Sequence, residues 1–499
     1  MKGSQEARFY IAPSPRGYSM DHATKTIELA AAINFELDEW QAAVIRAWMR
    51  TKPDGSWCVP TWGLSVPRQN GKNGLLLPVM IYMAAVRGLK ILYTSHHMQT
   101  SRKQFTQLLR YFGRKVDDPH AKFPELNKIA FEIRKTNGQE CITLSNGGCI
   151  ELSARTGGAG RGSTFDVLIV DEAQEYEPDE QEALEPTTSA APSGDPLTIY
   201  MGTPPRVIGL RGEPFVNTRT SALKGAKTVA WVEHSADGEV DKMSEAQVQE
   251  FVRNRRNWAK ANPALGIRIK EKTIEGELAR FSPRSFARER LNMWPSPVDS
   301  KNLAIDLKKW KQGRVKTPSE DWPLAAIGLD MNPARTKLTI TMALYAADAV
   351  YIEIAAQAGF NEAGTKLAVD WIWKRAKRRI PVVMDAYSPA RSLEPHLKQK
   401  KMKVRVLDGP EYGQACMGMS DAIREGKVLH FDQTQLNLSV QGTVKENMGR
   451  AGAWKFARTS DEVELMPSIS AACAWFGAIK FNSPPKSGGT KPRPNHAFV

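Results

Sequence analysis

The chain has 499 residues, which is long enough for two domains, and its formal net charge is +15. This excess of basic groups favours a polyanionic partner such as DNA, although many other basic proteins share it. The five cysteines form no CxxC pair and no apolar run is long enough to span a bilayer, so the composition argues against a zinc ribbon, a disulfide-rich exported protein and a membrane protein.

The first candidate functional residue along the chain is Gln41, at the end of the segment FELDEWQ (35–41). The segment precedes a predicted phosphate-binding loop, and a Gln amide in that position could read the edge of an adenine base. A single Gln on a helix is more often simply solvated, and the sequence leaves both interpretations open.

A glycine-containing loop, WGLSVPRQNGKNG (62–74), comes next, and an apolar helix is predicted behind it over 75–86. A phosphate-binding loop needs small residues that let backbone N–H groups turn inward, a Lys that reaches the β- and γ-phosphates, and a helix whose N-terminus faces the anion. Gly71 and Lys72 meet the first two needs, and the predicted helix meets the third. The pattern therefore indicates a nucleotide-binding loop, with a plain turn as the alternative.

This loop departs from the common GxxxxGK[ST] pattern at two positions. Val66 occupies the first glycine position, and Asn73 stands where Ser or Thr would ligate magnesium. An Asn side-chain oxygen can still ligate a hard cation, directly or through water. The residues predicted to contact ATP are Gln41, Arg68, Gln69, Asn70, Gly71, Lys72, Asn73 and Asp171.

The segment VLIVDEAQ (167–174) joins four apolar residues to two adjacent carboxylates. A short apolar run of this kind predicts a strand buried on both faces of a parallel sheet, and ligands bind at the carboxyl ends of such strands. Asp171 would then hold the water shell of Mg²⁺, and Glu172 would polarise the attacking water of an ATPase. The alternative is a strand followed by an N-capping acid, and the loop upstream favours the ATPase.

A second buried strand is predicted in PLTIYMGTPP (196–205), and Thr203 lies at its end. A small hydroxyl at that point could sense the γ-phosphate and couple hydrolysis to movement, whereas a plain exit from the strand is the alternative. Residues 207–294 are basic and rich in predicted helix, and we expect them to form a lid over the ATPase sheet.

The second half contains a different order of predicted elements. Three strands in a meander are predicted over 325–355, a helix over about 361–378, and a buried strand that ends at Asp385. Asp330 lies on the first strand of the meander, so two separate strands each supply an aspartate. This order is that of an RNase H-like fold, in which carboxylates on neighbouring strands hold two divalent ions ~3.5–4 Å apart at a scissile phosphate. Aspartates that only form turns are the alternative.

The last predicted helix, over 466–481, follows an acidic cluster that contains Asp461 and Glu464. By its distance from the helix, Glu464 is the first candidate for a third metal ligand of the nuclease, and Asp461 is the second. An acidic N-terminus that only complements the helix dipole explains the cluster equally well.

Shifts in composition divide the chain into domains. A polar, proline-bearing stretch without periodicity predicts a linker, and a Pro-, Gly- and Lys-rich end predicts a disordered tail. The predicted fold class is α/β, with an N-terminal P-loop ATPase built on a parallel sheet with a helical lid, and a C-terminal RNase H-like nuclease. The predicted ranges are 1–294 for the ATPase with its lid at about 207–294, 295–322 for the linker, 323–482 for the nuclease and 483–499 for the basic tail.

Several ordered segments resemble the large terminase subunit of tailed bacteriophages, the ATP-driven motor and nuclease that packages DNA. The resemblance extends over nearly the whole chain, from about residue 35 to residue 481. The segments that carry it are PRQNGKN, GRGSTFDVLIVDEAQ, YMGTPP and the stretch 257–294, which combines WxxANPxLG, a basic helix and LNxW.

The resemblance implies a protein that hydrolyses ATP with Mg²⁺ to move double-stranded DNA into a procapsid, and that cuts concatemeric DNA with a two-metal nuclease able to use Mg²⁺ or Mn²⁺. It implies a portal protein and a small terminase subunit as partners, and a homo-oligomeric ring, a pentamer, on the procapsid. It also implies the host cytoplasm as the location, with transient docking on the procapsid and no place in the mature virion or in a membrane.

Ring-forming motors of this kind also need a cation from a neighbouring subunit to stabilise transition-state charge. Arg161, in the loop GGAGRGST (157–164), resembles the family's inter-subunit arginine, while Arg155 and Arg68 are competing candidates. The rival functions are a DEAD-like helicase, or an adaptor protein with a decayed ATPase site. If the chain were a helicase, it should carry a second RecA-type domain with a QxxGRxxR-like motif, and no such motif occurs after Trp294. If it were an adaptor, it would not need to retain every charged group that ATP hydrolysis requires.

Overall fold

The computed structural model describes residues 1–155, 163–205, 212–295, 302–315, 318–360, 362–449, 452–458 and 463–482, with the backbone alone at 358, 362 and 363. It divides into two compact units, Met1–Pro297 and Val298–Val499, and each has its own sheet. Arg161, Asp461 and the predicted tail lie outside the described residues. Within the described residues, every helix is too short or too polar to cross a bilayer.

The first unit is an α/β domain. Its described strands are β1 (Phe9–Ile11), β2 (Thr61–Ser65), β3 (Lys90–Ser95), β4 (Ala130–Arg134), β5 (Glu140–Leu144), β6 (Cys149–Ala154), β7 (Val167–Val170), β8 (Leu197–Gly202) and β9 (Val229–Glu233). Its described helices are α1 (Asp21–Ala32), α2 (Glu39–Trp48), α3 (Lys72–Ala85), α4 (Met98–Phe112), α5 (Pro124–Lys128), α6 (Pro178–Leu184), α7 (Glu213–Leu223), α8 (Glu245–Arg253), α9 (Arg255–Ala261), α10 (Glu271–Leu278) and α11 (Pro283–Leu291).

The strands of this unit form one sheet in the order β1-β9-β2-β8-β7-β3-β6-β5-β4. All neighbours from β9 to β6 are parallel, and only the outer strands β1, β4 and β5 are antiparallel. A parallel sheet is covered on both faces, so its strands become continuous apolar runs. This explains why all four residues of β7 are fully buried, and the predicted parallel sheet is confirmed.

The strand that ends at Gly202 separates the two predicted nucleotide-binding motifs. β8 pairs in parallel with β2 on one side and with β7 on the other, with Ser65 opposite Gly202 and Val170 opposite Tyr200. The carboxyl ends of these three strands therefore meet at one edge of the sheet. The glycine-containing loop, Thr203 and the adjacent carboxylates emerge together there.

Helices α8 to α11 build a separate apolar cluster in the first unit, centred on Trp258, Phe286 and Leu291. These helices lie within the range predicted for a lid, about 207–294, and are called the lid below. Val229–Glu233 belong to that range and form β9, which pairs with β1 and β2 of the main sheet. Every residue of β9 is buried, because the strand lies between β1 and β2 inside the sheet.

The second unit contains strands and helices in a different order. Its described strands are β10 (Leu324–Met331), β11 (Lys337–Ala346), β12 (Ala349–Gly359), β13 (Pro381–Asp385), β14 (Lys403–Leu407), β15 (Val428–His430), β16 (Thr443–Met448) and β17 (Ala453–Arg458). Its described helices are α12 (Leu307–Gln312), α13 (Glu362–Ala376), α14 (Glu394–Gln399), α15 (Gly409–Arg424), α16 (Thr434–Gln441) and α17 (Met466–Lys480).

The main sheet of this unit has the order β14-β13-β10-β11-β12-β15. β10, β11 and β12 form the predicted antiparallel meander, and β13 and β14 add in parallel on the free side of β10. This connectivity is that of an RNase H-like fold, which confirms the predicted fold class. It also brings the ends of β10 and β13 side by side.

The long last helix, α17, lies directly on the face of this sheet. A Cβ atom at Gly328 would lie 1.9 Å from the carbonyl oxygen of Ser470, so only glycine allows this approach. The hydroxyl groups of Thr341 and Ser470 are hydrogen-bonded at 2.7 Å across the same interface. The opposite face, which carries Ile327 and Leu329, packs against α13.

The later part of the segment predicted to be a linker, residues 302–315, packs into the second unit. Residues 302–315 contain α12, and Ala304, Ile305 and Trp310 are buried in the core of the second unit. The Trp310 ring stacks on His430 at a centroid distance of 3.9 Å. The stretch shows no periodicity because a few separate apolar residues anchor it to the core.

Candidate functional site

The glycine-containing loop has the backbone geometry of an anion-binding turn at the start of α3. Gly71 has φ +100°, a left-handed conformation that favours glycine. A Cβ atom at this position would also lie 2.9 Å from Nη2 of Arg268. The next residue, Lys72, begins α3, whose residues from Leu75 to Ala84 are all buried. The helix thus has its N-terminus at the loop, as a phosphate site requires.

The side chain of Asn70 shapes this loop. Its Nδ2 donates hydrogen bonds to the carbonyl oxygen of Pro67 and to Oδ1 of Asn262, both at 3.1 Å. Its Oδ1 accepts a hydrogen bond from the backbone N–H of Ala264 at 3.0 Å. Asn70 was predicted to contact ATP, but its buried side chain instead joins the loop to the lid. Asn262, in the WxxANPxLG segment, has no exposed surface and was missed as a loop contact by sequence reasoning.

Gln41 likewise faces the loop backbone. It is the third residue of α2, and its Oε1 accepts a hydrogen bond from the N–H of Asp38 at 2.9 Å, as in a capping box. Its Nε2 donates to the carbonyl oxygen of Gly71 at 2.9 Å. With 2 % of its surface exposed and both amide atoms engaged, Gln41 supports the loop in this structure and does not present its amide to an adenine.

The loop and the end of β7 meet at Asp171. Its Oδ2 accepts hydrogen bonds from Nδ2 of Asn73 at 2.6 Å and from the hydroxyl of Tyr93 at 2.7 Å. Its Oδ1 lies 3.9 Å from Nζ of Lys72 and accepts a hydrogen bond from the N–H of Glu172 at 2.9 Å. These donors offset the desolvation of a fully buried carboxylate. The structure therefore brings together the residues predicted to bind phosphate and magnesium.

Tyr93, on β3, is a further member of this site that the sequence did not reveal. Burial, and then the neighbouring Asp171 carboxylate, raise the pKa of Tyr93 well above its ordinary value, so its hydroxyl stays a hydrogen-bond donor. Tyr93 lies in the segment KILYTS, in which every residue after Lys90 is buried. The partner of its polar tip depends on β3 lying next to β7.

Glu172 adopts an unusual backbone conformation, with φ +54°. Left-handed conformations of non-glycine residues are uncommon and concentrate at functional sites. Its Oε2 is buried and has no hydrogen-bond partner among the described residues. A buried carboxylate oxygen without a protein partner is suited to accept a hydrogen bond from a water molecule.

Arg155 holds the turn between Asp171 and Glu172. Its Nη1 donates to the carbonyl oxygen of Asp171 at 2.6 Å, and its Nη2 donates to that of Glu172 at 3.2 Å. Its Nε lies 3.4 Å from Oε2 of Glu180. The guanidinium is thus buried and engaged within its own chain, so Arg155 no longer competes for the inter-subunit role in this conformation.

The other predicted residues of the first unit lie around this centre. Thr203 is 4 % exposed, and its N–H donates to Oε1 of Gln174, two residues beyond Glu172, at 3.2 Å. On its other side, Gly202 accepts a hydrogen bond from the N–H of Val66 in the loop at 3.3 Å. Arg68 and Gln69 are exposed, and Arg68 pairs with Glu289 of the lid at 3.1 Å.

A second site lies in the second unit, where β10 and β13 end. Leu329 is opposite Met384, so Asp330 and Asp385 follow side by side, and both are more than nine-tenths buried. Burial raises the pKa of Asp330 to about 7; the Ser388 hydrogen bond opposes this rise and the Asp385 charge adds to it. Burial also raises the pKa of Asp385. Two buried carboxylates at neighbouring positions of adjacent strands favour a bound cation over two uncompensated negative charges.

Two more side chains with oxygen atoms lie beside Asp330 on the neighbouring strands β11 and β12. Thr339 is opposite Asp330 on β11, and Gln357 is opposite Thr339 on β12. The buried Oδ1 of Asp385 and Oγ1 of Thr339 have no hydrogen-bond partner among the described residues. Carboxylate and hydroxyl oxygens are ligands that Mg²⁺ accepts, so these residues fit a divalent cation. Thr339 was missed because its position next to Asp330 is set by strand register.

Glu464 is not brought to the aspartate pair. It is exposed, forms an ion pair with Lys337, and accepts a hydrogen bond from Nε2 of Gln357 at 3.0 Å. Over the described residues, no group of three or more His, Cys, Asp or Glu side chains is arranged to hold a metal. Lys337 and Gln357 engage the Glu464 carboxylate in this conformation, and its role as third ligand stays a prediction.

No family model matches this chain, and no curated protein matches it. Several solved structures of phage large terminases match over most of it at low identity. The crystal structure of the HK97 bacteriophage large terminase covers 91% of this chain and 99% of that chain, at 16% identity and a TM-score of 0.45. The large terminase from the thermophilic bacteriophage D6E in complex with ADP covers 85% and 95%, at 11% identity and a TM-score of 0.32.

A third match covers a smaller share of this chain. The large terminase nuclease from thermophilic phage G20c with bound magnesium covers 35% of this chain and 97% of that chain, at 11% identity and a TM-score of 0.29. All three TM-scores are below 0.5, so the functional proposal rests on the motifs and on the geometry of the two sites.

Proposed function

We propose that the chain is the large subunit of a phage terminase, which hydrolyses ATP to drive double-stranded DNA into a procapsid and cuts concatemeric DNA. The observation that carries this proposal is the meeting of Lys72 and Asn73, at the start of α3, with Asp171 and Glu172, at the end of β7. The aspartate pair of a separate RNase H-like unit supports the nuclease part.

In the ATPase unit, the N-terminus of α3 and the ammonium group of Lys72 would bind the phosphates of ATP. Asp171, with Asn73 beside it, would hold Mg²⁺, which neutralises phosphate charge in the transition state. Glu172 would accept the proton of the attacking water. Arg155 keeps the Asp171–Glu172 turn in place, so that this carboxylate stays aimed at the site.

The coupling of ATP hydrolysis to movement is proposed for the elements that contact both the glycine-containing loop and the Asp171–Glu172 turn. The end of β8 contacts the loop through Val66 and the carboxylate turn through Gln174, so Thr203 is placed to respond to a change at either. Asn70 and Asn262 would pass that change to the lid. Arg161 is proposed as the cation supplied to the site of a neighbouring subunit in the ring.

In the nuclease unit, Asp330 and Asp385 would hold Mg²⁺ or Mn²⁺ ions, which stabilise the attacking and leaving oxygens at a scissile phosphate. Thr339 would accept or donate a hydrogen bond at the same centre. The third carboxylate is Glu464 if its ion pair with Lys337 opens, and otherwise Asp461. The helicase alternative loses support here, because a second RecA-type domain would need a parallel sheet where β10 to β12 form an antiparallel meander.

Three further features belong to this proposal. The partners are the portal protein, the small terminase subunit and further copies of this chain in a pentameric ring. The location is the host cytoplasm, with docking on the procapsid only during packaging. The domain organisation is an ATPase, a lid and a nuclease, with the nuclease beginning near residue 302 rather than at 323.

The experiment that tests the proposal measures ATP hydrolysis and metal-dependent plasmid cleavage on the same purified chain. We expect Lys72→Ala to lose ATP hydrolysis and keep cleavage, and Asp330→Asn to lose cleavage and keep hydrolysis. Lys115→Ala, at an exposed position of the first unit, serves as the control that keeps both. A wild-type chain with neither activity, or variants that lose both together, would overturn the proposal.

A further inference from the structure

A surface cavity of about 420 Å³ lies directly beside the aspartate pair of the second unit. Its walls come from the turn after β10, which contributes Arg335, and from the segment after β13, which contributes Tyr387, Ser388, Arg391 and Glu394. Ser388 connects the cavity to the metal site, because its N–H donates to the carbonyl oxygen of Asp385 at 3.1 Å and its side chain lies beside Asp330. A ligand in this cavity would thus lie next to a group bound at the two aspartates.

The charge of the cavity is positive. Arg335 is exposed and lines the cavity. Arg391 lies 3.5 Å from Glu394, but Glu394 is also 2.7 Å from Nζ of Lys398, so two cations share its charge. The lining therefore retains a cationic surface within reach of a neighbouring phosphate.

Tyr387 gives the cavity an aromatic wall. Its side chain is 86% exposed, although it follows the buried Asp385 by only two residues. A large aromatic ring left in water beside arginines offers a stacking surface to a nucleoside, as in proteins that bind nucleic-acid strands. The hydroxyl of Ser388 caps the N–H of Ala390 at 3.1 Å and holds the segment that presents this ring.

We propose that this cavity, the Arg335 cavity, binds the nucleotide next to the scissile phosphate in the DNA strand being cut. Arg335 and Arg391 would contact its phosphate, and Tyr387 would pack against its base or deoxyribose. The inference rests on the proposed nuclease function and adds a DNA-binding subsite to it. The cavity sets the affinity for DNA, while the aspartates perform the cleavage.

Steady-state plasmid cleavage by the full-length chain tests this subsite. We expect Arg335→Gln and Tyr387→Ala each to raise KM roughly 10-fold, with kcat within about two-fold of wild type, because one phosphate contact or one stacking contact is lost. Tyr387→Phe keeps the ring and should keep KM. Arg379→Gln, an exposed arginine at the opposite end of β13, is the matched control.

Binding of a fluorescent blunt DNA duplex at several salt concentrations gives a second readout that does not need cleavage. Arg335→Gln should lower the slope of log affinity against log salt by about 1, and Tyr387→Ala should weaken binding without changing the slope. A wild-type KM in both variants, together with an unchanged salt slope for Arg335→Gln, would overturn the subsite. If Asp330→Asn cleaves as wild type does, the nuclease proposal fails, and the salt slopes still decide whether the cavity binds DNA.

Discussion

At the scale of single residues, the turn at the end of β7 concentrates the chemistry of the first unit. Asp171 is buried and satisfied by Asn73, Tyr93 and the N–H of Glu172, whereas Oε2 of Glu172 has no described partner. Hydrogen bonds therefore fix the carboxylate of Asp171, while Oε2 of Glu172 can accept a hydrogen bond from a water molecule. This asymmetry is what a metal ligand and a general base require of two adjacent acids.

The first prediction concerns Glu172. We expect Glu172→Gln to lower the rate of ATP hydrolysis by ~10²–10⁴, because an amide cannot accept the proton of the attacking water. ATP affinity should stay near that of wild type, since Lys72 and the start of α3 are unchanged. Hydrolysis by single-turnover assay and binding of a fluorescent ATP analogue measure the two effects, and hydrolysis near the wild-type rate would contradict the assignment.

The second prediction concerns Arg155. Arg155→Gln removes the guanidinium that donates to the carbonyl oxygens of Asp171 and Glu172, and losing hydrogen bonds from a charged group costs about 1.5–3 kcal/mol of stability. We expect a lower Tm and a lower kcat for ATP hydrolysis with unchanged ATP affinity, and partial rescue of both by Arg155→Lys. Arg110→Gln, on the exposed side of α4, is the control. A wild-type Tm together with lost ATP affinity would show instead that Arg155 contacts the nucleotide.

At the scale of elements, the connection from β9 to the lid contains a buried histidine. The N–H of His234 donates to the carbonyl oxygen of Ser65, at the end of β2, at 3.0 Å, and its ring meets Trp40 edge-on at 5.4 Å. Its Nδ1 has no described hydrogen-bond partner. Burial lowers the pKa of His234 to about 3, so the ring is neutral wherever the fold is intact near neutral pH.

The third prediction follows from this lowered pKa. The unfolded chain binds a proton at His234 below its ordinary pKa of 6.5, and the folded chain does so only near 3, so stability falls as pH falls through this range. The loss is about 1.4 kcal/mol per pH unit for this one group. Urea unfolding at a series of pH values should show a shallower loss for His234→Gln than for wild type. Parallel losses in the two proteins would contradict the buried, neutral ring.

At the scale of the whole molecule, the two units carry separate cores and separate candidate sites. The first unit holds the loop and the adjacent carboxylates, and the second holds the aspartate pair and the Arg335 cavity. Residues 302–315 belong to the second core, since Ala304, Ile305 and Trp310 are buried there. The Trp310 Nε1 also donates to Oδ1 of Asn437 at 2.9 Å.

The fourth prediction is that a fragment over 302–482 folds and nicks plasmid DNA in the presence of Mg²⁺ or Mn²⁺. A shorter fragment over 323–482 lacks Trp310 and should have a lower Tm, because removing a buried tryptophan side chain costs about 3–5 kcal/mol. Trp310→Ala in the longer fragment separates this contact from the effect of length. Equal Tm values for the two fragments would show that 302–322 is dispensable.

Several features of this protein were readable from the sequence alone because they depend on local patterns. The apolar run VLIV before two acids specifies a buried parallel strand with ligands at its end, and the structure contains β7 there. The Gly71–Lys72 pair precedes a helix predicted over 75–86, and the structure contains α3 there, beginning at Lys72. The order of strands and helix after 323 likewise determined an RNase H-like sheet with Asp330 and Asp385 on neighbouring strands.

Only the tertiary structure decided which partner each polar side chain meets. Gln41 and Asn70 carry amide groups that could contact a ligand, yet the packing of α2 turns Gln41 toward the backbone of Gly71, and Asn70 accepts a hydrogen bond from the N–H of Ala264. Arg155 reaches the Asp171–Glu172 turn because only β3 separates β6 from β7 in the sheet. Glu464 stays at the surface because Lys337, the first residue of β11, pairs with it. These contacts join residues far apart in the chain, so they depend on strand order, register and helix docking, which local sequence patterns do not encode.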